Sequence, residues 1–216
     1  MAGRRHSGII VGTQTAIIIS SPTQLTMGKR EYEYVGPIAI RDAAKSQPSG
    51  ISVATMDELR AWLASAQTDR LPDGTCVATF TIDLDGRLLL APRRSEHVAC
   101  ASGGPVLSAG EISFDDDLTA TEISNQSTGF CPEPESWMTV ANALDRIGVQ
   151  HPQRFTTEIV FRLCQSCGER NIVKDNWYYC TICNADLPLD WNFSRDANVG
   201  EQSDARKSPI VREFES

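Results

Sequence analysis

CVATFTIDLDGRLLL, residues 76–90, is the stretch that decides the fold of this chain. In its first half, apolar side chains alternate with polar neighbours, at Ala78, Phe80, Ile82 and Leu84. Such two-residue alternation is typical of a β-strand with one buried face. Asp85-Gly86 then supplies the residue pair that most strongly favours a tight hairpin turn, and a second apolar run follows. The stretch therefore predicts two antiparallel strands joined by a turn.

The same pattern of strands and turns continues to residue 124. HVACA (97–101), VLSAGEISF (106–114) and LTATEIS (118–124) are short runs suited to strands, and GGP and DDD between them favour turns. Polar residues at alternate positions indicate a sheet with one face against the core and the other in water. Residues 76–124 are therefore predicted to form an antiparallel β-meander.

Two helices flank the predicted meander. Thr55 and Glu58 have the spacing of a capping box, and a helix should run from there to about Ala66. PESWMTVANALDRIG follows the meander, where Pro134 suits a first helical turn and Gly148 is a natural stop. Helices that are segregated from an antiparallel sheet indicate an α+β fold.

The chain divides into four segments by composition. Residues 1–50 are predicted to be an N-terminal β segment of the main domain, because 8–20 is rich in Ile and Val. Residues 51–160 form the predicted α+β core, and residues 161–192, where four of the seven cysteines lie, are predicted to form a small zinc ribbon. The polar, aperiodic residues 193–216 predict a disordered tail.

The composition is that of an acidic globular protein. The 216 residues carry a formal net charge of −8 and a sequence pI of about 4.9, which disfavours bulk attraction to nucleic acid or to an anionic membrane. No apolar run reaches the roughly 18 residues that a membrane-spanning helix needs. Seven cysteines are an odd number, which fits poorly with a complete disulfide framework. We therefore expect a cytoplasmic protein with reduced thiols and no membrane contact.

Four of the cysteines lie in CQSCGERNIVKDNWYYCTIC (164–183), as two CxxC pairs. Cys164 pairs with Cys167, and Cys180 pairs with Cys183. Two such pairs on a hairpin supply the four tetrahedral thiolate ligands that zinc takes in structural sites. The spacing predicts that all four cysteines bind one structural zinc ion, with no open coordination position for catalysis.

The residues around the two pairs support a zinc ribbon. Gly168 and Asn184 follow the first and second pair, and both residue types tolerate the left-handed backbone that a metal-binding knuckle requires. NIV (171–173) and WYY (177–179) are predicted to be two short strands joined by residues 174–176. Iron bound by four thiolates has similar ligand requirements, and the spacing leaves that alternative open.

Trp177, Tyr178 and Tyr179 are the candidate partner-binding residues of the ribbon. Residues 161–192 hold three basic and four acidic side chains, and three minus four gives a net charge of −1. This is a poor electrostatic footprint for phosphate contacts, although aromatic rings can stack on bases. We expect some of the rings to fill the ribbon's small core and the others to contact a protein partner.

A second candidate site is EISNQSTGFCPEPESW (122–137). Cys131 precedes a helix, where the pKa of a thiol can be lowered enough for the thiolate to act as a nucleophile. His97 would be its general base if the folded chain brings the two loops together. The alternative is that Cys131 is a small buried apolar side chain.

Three stretches carry a resemblance that covers about residues 88–193. They are RRSEHVACASGGPVLSAGEISF, EISNQSTGFCPEPESW, and FRLCQSCGERNIVKD together with CTICNADLPLDWNF. In these stretches the chain resembles a family of uncharacterised bacterial proteins with a C-terminal four-cysteine zinc ribbon. The resemblance implies a bacterial, cytoplasmic protein and implies no particular chemistry.

These features favour a zinc-binding, non-catalytic protein-interaction protein of the adaptor or accessory type. One alternative is a small cysteine-dependent hydrolase or transferase that uses Cys131 and His97. The other is a nucleic-acid-binding accessory protein.

Overall fold

The computed structural model describes residues 30–66 and 70–193. The strand pair predicted at 8–20 lies outside these residues, as does the predicted tail from residue 194 onward. Phe193, the first residue of that predicted tail, is instead buried against Cys131 and Phe161. None of the helices in the described part of the chain is long and apolar enough to cross a membrane.

Five antiparallel strands form the central sheet, in the order β1-β3-β2-β4-β5. They are β1 (Ile51–Val53), β2 (Cys76–Ile82), β3 (Leu88–Pro92), β4 (Ser108–Phe114) and β5 (Ala120–Ser124). The predicted hairpin is confirmed, because β2 pairs with β3 and Gly86 turns the chain with a φ of 78°. Glycine adopts this left-handed conformation without steric strain. The α+β class with an antiparallel sheet is confirmed.

Two helices lie at the positions that the sequence predicts. They are α2 (Met56–Ser65) and α4 (Trp137–Ile147). The capping box of α2 is present: Thr55 Oγ1 accepts from the Glu58 N–H at 3.2 Å, and the Glu58 carboxylate accepts from the Thr55 N–H at 3.2 Å. A 3₁₀ turn, Pro134–Ser136, leads into α4, and Gly148 ends it with a φ of 88°.

The main hydrophobic core lies between these helices and one face of the sheet. α4 contacts β2, β3 and β4. The fully buried side chains of this core include Leu59, Leu63, Phe80, Ile82, Leu88, Leu90, Ile112, Phe114 and Leu144. Each such side chain stabilises the fold by about 1.5–3 kcal/mol relative to leaving it exposed.

The opposite face of the sheet is also covered at β2, so the prediction of a wet face is wrong there. HVACA is not a strand but the short helix α3 (His97–Cys100), which contacts β2 and β3. The chain passes through α3 before β4, which pairs with β2 rather than with β3 as in a simple meander. Thr79 and Thr81 can be buried on this face because their hydroxyls bond the Arg93 carbonyl and the Cys100 thiol.

Residues 30–44 complete this second layer. Tyr32 and Tyr34 are buried, and Tyr32 forms a single β-bridge with Val106. The chain then forms α1 (Ile38–Ala44), which contacts α3. The described part of the predicted N-terminal β segment, residues 30–50, therefore contains one β-bridge and the helix α1, with Pro37 as the N-cap residue of that helix.

The C-terminal region begins with a separate two-stranded hairpin. β6 (Val160–Leu163) pairs antiparallel with β7 (Arg170–Val173). The NIV segment pairs with β6 and not with WYY, in which Tyr179 forms an isolated β-bridge with Asp186. The ribbon's hairpin is therefore closed by the first cysteine pair.

Candidate metal centre

The first cysteine pair lies in the turn between β6 and β7. The N–H of Cys164 donates to the carbonyl of Glu169 at 2.8 Å, and the N–H of Gly168 donates to the carbonyl of Cys164 at 2.9 Å. Gly168 has a φ of 75°, which is the left-handed conformation expected of a knuckle. This tight turn holds Cys164 and Cys167 on one side of the site.

The second pair repeats the same hydrogen-bond pattern. The N–H of Cys180 donates to the carbonyl of Ala185 at 2.8 Å, and the N–H of Asn184 donates to the carbonyl of Cys180 at 3.0 Å. Asn184 has a φ of 58°, which Asn tolerates better than most residues. The left-handed backbone predicted at Gly168 and at Asn184 is therefore present in both knuckles.

The four cysteine sulfurs converge, with all Sγ atoms within 4.8 Å of one another. The Sγ atoms of Cys164 and Cys183 are 3.5 Å apart, as are those of Cys167 and Cys180. Four thiolates placed tetrahedrally at about 2.3 Å from a zinc ion would lie about 3.8 Å from one another. The donor set and its spacing therefore fit a four-thiolate site, and the cluster could hold a metal ion.

Hydrogen bonds to its sulfur favour ionisation of the Cys180 thiol. Its burial opposes ionisation, but the N–H groups of Cys183 and Ile182 and the side chains of Cys167 and Asn171 form hydrogen bonds to its sulfur. These bonds favour the thiolate and lower the pKa of Cys180 to about 6. A thiolate is the form that binds a metal ion.

Cys167 shows the opposite shift. The N–H of Glu169 favours its thiolate, but loss of water and the neighbouring sulfurs of Cys180, Cys183 and Cys164 outweigh this and raise the pKa of Cys167 to about 12. The lowered pKa of Cys180 and the raised pKa of Cys167 have a common cause. Once Cys180 is a thiolate, its negative charge opposes the formation of a second thiolate at Cys167. A cation at the centre would remove that repulsion, so metal binding and proton release are coupled here.

Asn171 belongs to this site, although sequence reasoning missed it. It lies on β7 and is 3% exposed. Its side chain contacts Glu169 in the first knuckle and both Cys180 and Thr181 in the second. In the sequence, the indication of this role was that Asn171 is a polar residue in a predicted strand, two positions after Glu169.

A buried ion pair fastens the ribbon to the main domain. Arg162, on β6, donates to the Glu133 carboxylate at 2.9 Å and to the Leu189 carbonyl through both Nε and Nη2. Trp191 adds a further attachment, since its indole N–H donates to the Cys131 carbonyl at 2.9 Å. The bonds to Glu133 and Cys131 set the orientation of the cysteine cluster on the main domain, whereas the bonds to Leu189 lie within the ribbon.

The three candidate partner-binding aromatics do not share one environment. Tyr178 is half-buried beside Cys164, Cys180 and Leu187. Trp177 and Tyr179 are 68% and 43% exposed, and their ring centroids are 4.8 Å apart. The alternation along this segment therefore places one ring inward and two outward.

Cys131 has the opposite properties from those of an activated nucleophile. The residue is fully buried, and its thiol donates to the Thr128 carbonyl at 3.4 Å. Burial raises the pKa of Cys131 to about 12, despite the opposing effect of the Arg170 charge. These properties favour the alternative that Cys131 is a small buried apolar side chain.

His97 lies on α3 and bonds the Gly110 carbonyl through Nε2 at 3.1 Å. Burial lowers the pKa of His97 to about 4, and the bond to Gly110 opposes this only in part. Among the described residues, His97 and Cys131 have separate hydrogen-bond partners and none in common. The structure does not bring the two side chains together as a hydrogen-bonded pair.

No family model matches the chain, and no match was found among curated proteins or among solved structures.

Proposed function

We propose that this chain is a bacterial, cytoplasmic protein that binds one structural zinc ion and engages a protein partner, without catalysis, through the exposed face of its ribbon. One observation carries the proposal, namely the exposed ring pair of Trp177 and Tyr179, with centroids 4.8 Å apart. Aromatic side chains in exposed clusters favour binding surfaces, because a partner can remove their apolar area from water.

The backbone explains why these rings face outward. Tyr179 and Asp186 are directly opposite each other in an antiparallel bridge, and the Leu187 N–H donates to the Tyr178 carbonyl at 2.8 Å. Tyr178 and Leu187 pack toward the cysteines. Because side chains alternate along extended backbone, Trp177, Tyr179 and Asp186 occupy the outer side. The metal site thus stabilises the chain that displays them.

The charge of this surface supports a protein partner over nucleic acid. Arg162 is buried against Glu133, so it adds nothing to the ribbon's surface. The remaining ribbon has two basic side chains and four acidic ones, and two minus four gives a net charge of −2. The basic residues are Arg170 and Lys174, and the acidic residues are Glu169, Asp175, Asp186 and Asp190. Four thiolates around a divalent zinc ion add two further negative charges. Such a surface repels phosphate and favours a partner with basic side chains beside an apolar one.

The donor set supports zinc. Four cysteines on two knuckles with no open position are the usual ligands of structural zinc. None of the seven cysteines, all of which lie in the described residues, forms a disulfide, which is consistent with a reducing compartment. Elemental analysis should find about one zinc per chain in protein purified under reducing conditions. Stoichiometric iron with a visible absorption band, or absence of metal, would contradict this assignment.

The interaction surface can be tested with a matched pair of variants. The double variant Trp177→Ser/Tyr179→Ser removes the ring pair, whereas Met138→Ser removes a 63% exposed apolar side chain from α4, outside the ribbon. Tagged wild type and both variants would be crosslinked in the native host and their partners quantified by mass spectrometry. We expect a partner that is depleted by about 30-fold only in the double variant. Equal recovery with all three proteins, at unchanged zinc content, would contradict the proposed surface.

A further inference from the structure

Asn171 connects the two cysteine knuckles through a set of hydrogen bonds that uses both ends of its amide. Its Nδ2 donates to the Glu169 carbonyl at 2.9 Å and to the Cys180 sulfur at 3.6 Å. Its Oδ1 accepts from the Thr181 N–H at 3.0 Å and from the Thr181 hydroxyl at 3.2 Å. The side chain therefore bonds to the first knuckle at Glu169 and to the second knuckle at Cys180 and Thr181.

These contacts have two physical consequences for Cys180. The bonds to Thr181 fix the backbone immediately after Cys180, and so fix the direction of its sulfur. The N–H of the amide places a positive dipole end against that sulfur in a buried position, where hydrogen bonds to a thiolate are strong. Asn171 is 3% exposed, so water does not replace either effect.

Only an amide of this length can supply both effects. An aspartate at this position would keep the acceptor that Thr181 needs but would place a carboxylate oxygen against a thiolate. A leucine would supply neither the donor nor the acceptor, and would leave the Thr181 N–H without its partner. The chemistry of the four contacts therefore requires Asn rather than merely a residue of this volume.

We propose that Asn171 is a positioning residue of the metal centre, which orients the Cys180 thiolate and lowers its electron-donor strength through an N–H···S bond. This inference rests on the proposed metal binding. Residues that hydrogen-bond to metal ligands in this way commonly contribute about 10- to 100-fold in metal affinity. The spacing of the cysteines in the sequence identifies the four ligands. The contact between Asn171 and Cys180 depends instead on the pairing of β7 with β6, which brings Asn171 next to the second knuckle.

The test compares Asn171→Asp with Asn176→Asp in the full chain. Both variants replace one amide by one carboxylate within the ribbon, but Asn176 lies exposed in the turn at 174–176 with a φ of 57°, which Asp also tolerates. Zinc affinity would be measured by competition with a chromophoric chelator. The energy of the thiolate-to-metal charge-transfer band would be measured with Co²⁺ in place of zinc. This band reports the donor strength of the sulfurs, which a purely structural role would not change.

We expect Asn171→Asp to weaken zinc binding by about 10- to 100-fold and to shift the Co²⁺ band, while Asn176→Asp stays within about twofold of wild type. Equal affinity and an equal spectrum for wild type and Asn171→Asp would overturn the role of Asn171 and leave metal binding intact. Failure of the wild type itself to bind zinc or Co²⁺ would overturn the metal proposal and this inference together.

A measurement on the wild type covers the case in which Asn171→Asp does not fold. In protein loaded with a spin-half cadmium isotope, scalar coupling between the metal and the side-chain amide protons of Asn171 reports the N–H···S bond directly. We expect coupling to one of these protons and slow solvent exchange of both. Rapidly exchanging, uncoupled amide protons would overturn the proposal.

Discussion

Arg162 donates to the carboxylate of Glu133 at 2.9 Å, and this pair joins the first strand of the ribbon to the turn that precedes α4. The two side chains are 6% and 13% exposed. The other carboxylate oxygen of Glu133 accepts from Arg30 at 2.6 Å, so one carboxylate connects three distant segments of the chain. The orientation of the cysteine cluster on the main domain depends on these contacts.

Replacing Glu133 by Ala should therefore destabilise the attachment of the ribbon. The change leaves the Arg162 guanidinium buried without its counter-charge, and such a loss costs about 3 kcal/mol. Urea unfolding of the metal-loaded chain measures the effect. Asp57→Ala is the matched control, because the Arg60–Asp57 pair is 62% and 93% exposed and such pairs contribute less than about 1 kcal/mol. Equal effects of the two substitutions would contradict the structural role of Glu133.

The capping box of α2 gives a second stability prediction. Thr55→Ala removes the acceptor for the Glu58 N–H and should lower the free energy of unfolding by about 1 kcal/mol. Thr55→Ser keeps a hydroxyl at the same position and should remain within a few tenths of a kcal/mol of wild type. Thermal unfolding of the three proteins distinguishes these outcomes. A serine variant as unstable as the alanine variant would show that the methyl group, not the cap, is responsible.

Metal removal should affect the C-terminal hairpin and spare the sheet. The cluster around Cys164, Cys180 and Leu187 is small and separate from the core between the sheet and α4. Folding and metal binding are coupled in such small elements. After chelation, or in Cys180→Ser, the amide protons of β6 and β7 should exchange quickly while those of β2 stay protected.

A thiol outside the cluster provides the control for that experiment. Cys100 is buried on α3, where burial raises its pKa to about 11, and it has no contact with the cluster's sulfurs among the described residues. Cys100→Ala should retain one metal ion per chain. Loss of protection in β2 on chelation, or loss of metal from Cys100→Ala, would contradict the separation of the two cores.

The features that were predictable from sequence are those set by neighbouring residues. The turn at Gly86, the cap at Thr55, and the two knuckles each depend on a few consecutive positions, and each is present. The class of the fold followed from such local signals. The spacing of the four cysteines likewise sufficed to predict their convergence.

The features that were not predictable depend on distant partners. The HVACA segment forms the helix α3, and its buried apolar side chains pack against β2. Because β2 is distant in sequence, no local pattern around HVACA indicates this contact. The pairing of β7 with β6, and the inward position of Asn171, likewise depend on how the knuckles return the chain. The buried hydroxyls of Thr79 and Thr81 have the polarity of a wet face, but their partners come from Arg93 and Cys100.

The burial of His97 predicts a loss of stability in mild acid. Its folded-state pKa is lowered from 6.5 to about 4, so the unfolded chain takes up a proton at a pH where the folded chain does not. The stability contribution is complete above pH 6.5 and is lost as the pH falls toward 4, by up to about 3 kcal/mol in total.

His97→Gln keeps a donor for the Gly110 carbonyl but does not titrate. Unfolding free energies measured from pH 7.5 to 4 should therefore fall less steeply in the variant than in wild type, while acid release of the metal affects both equally. Parallel curves for the two proteins would show that His97 is not the group that takes up the proton.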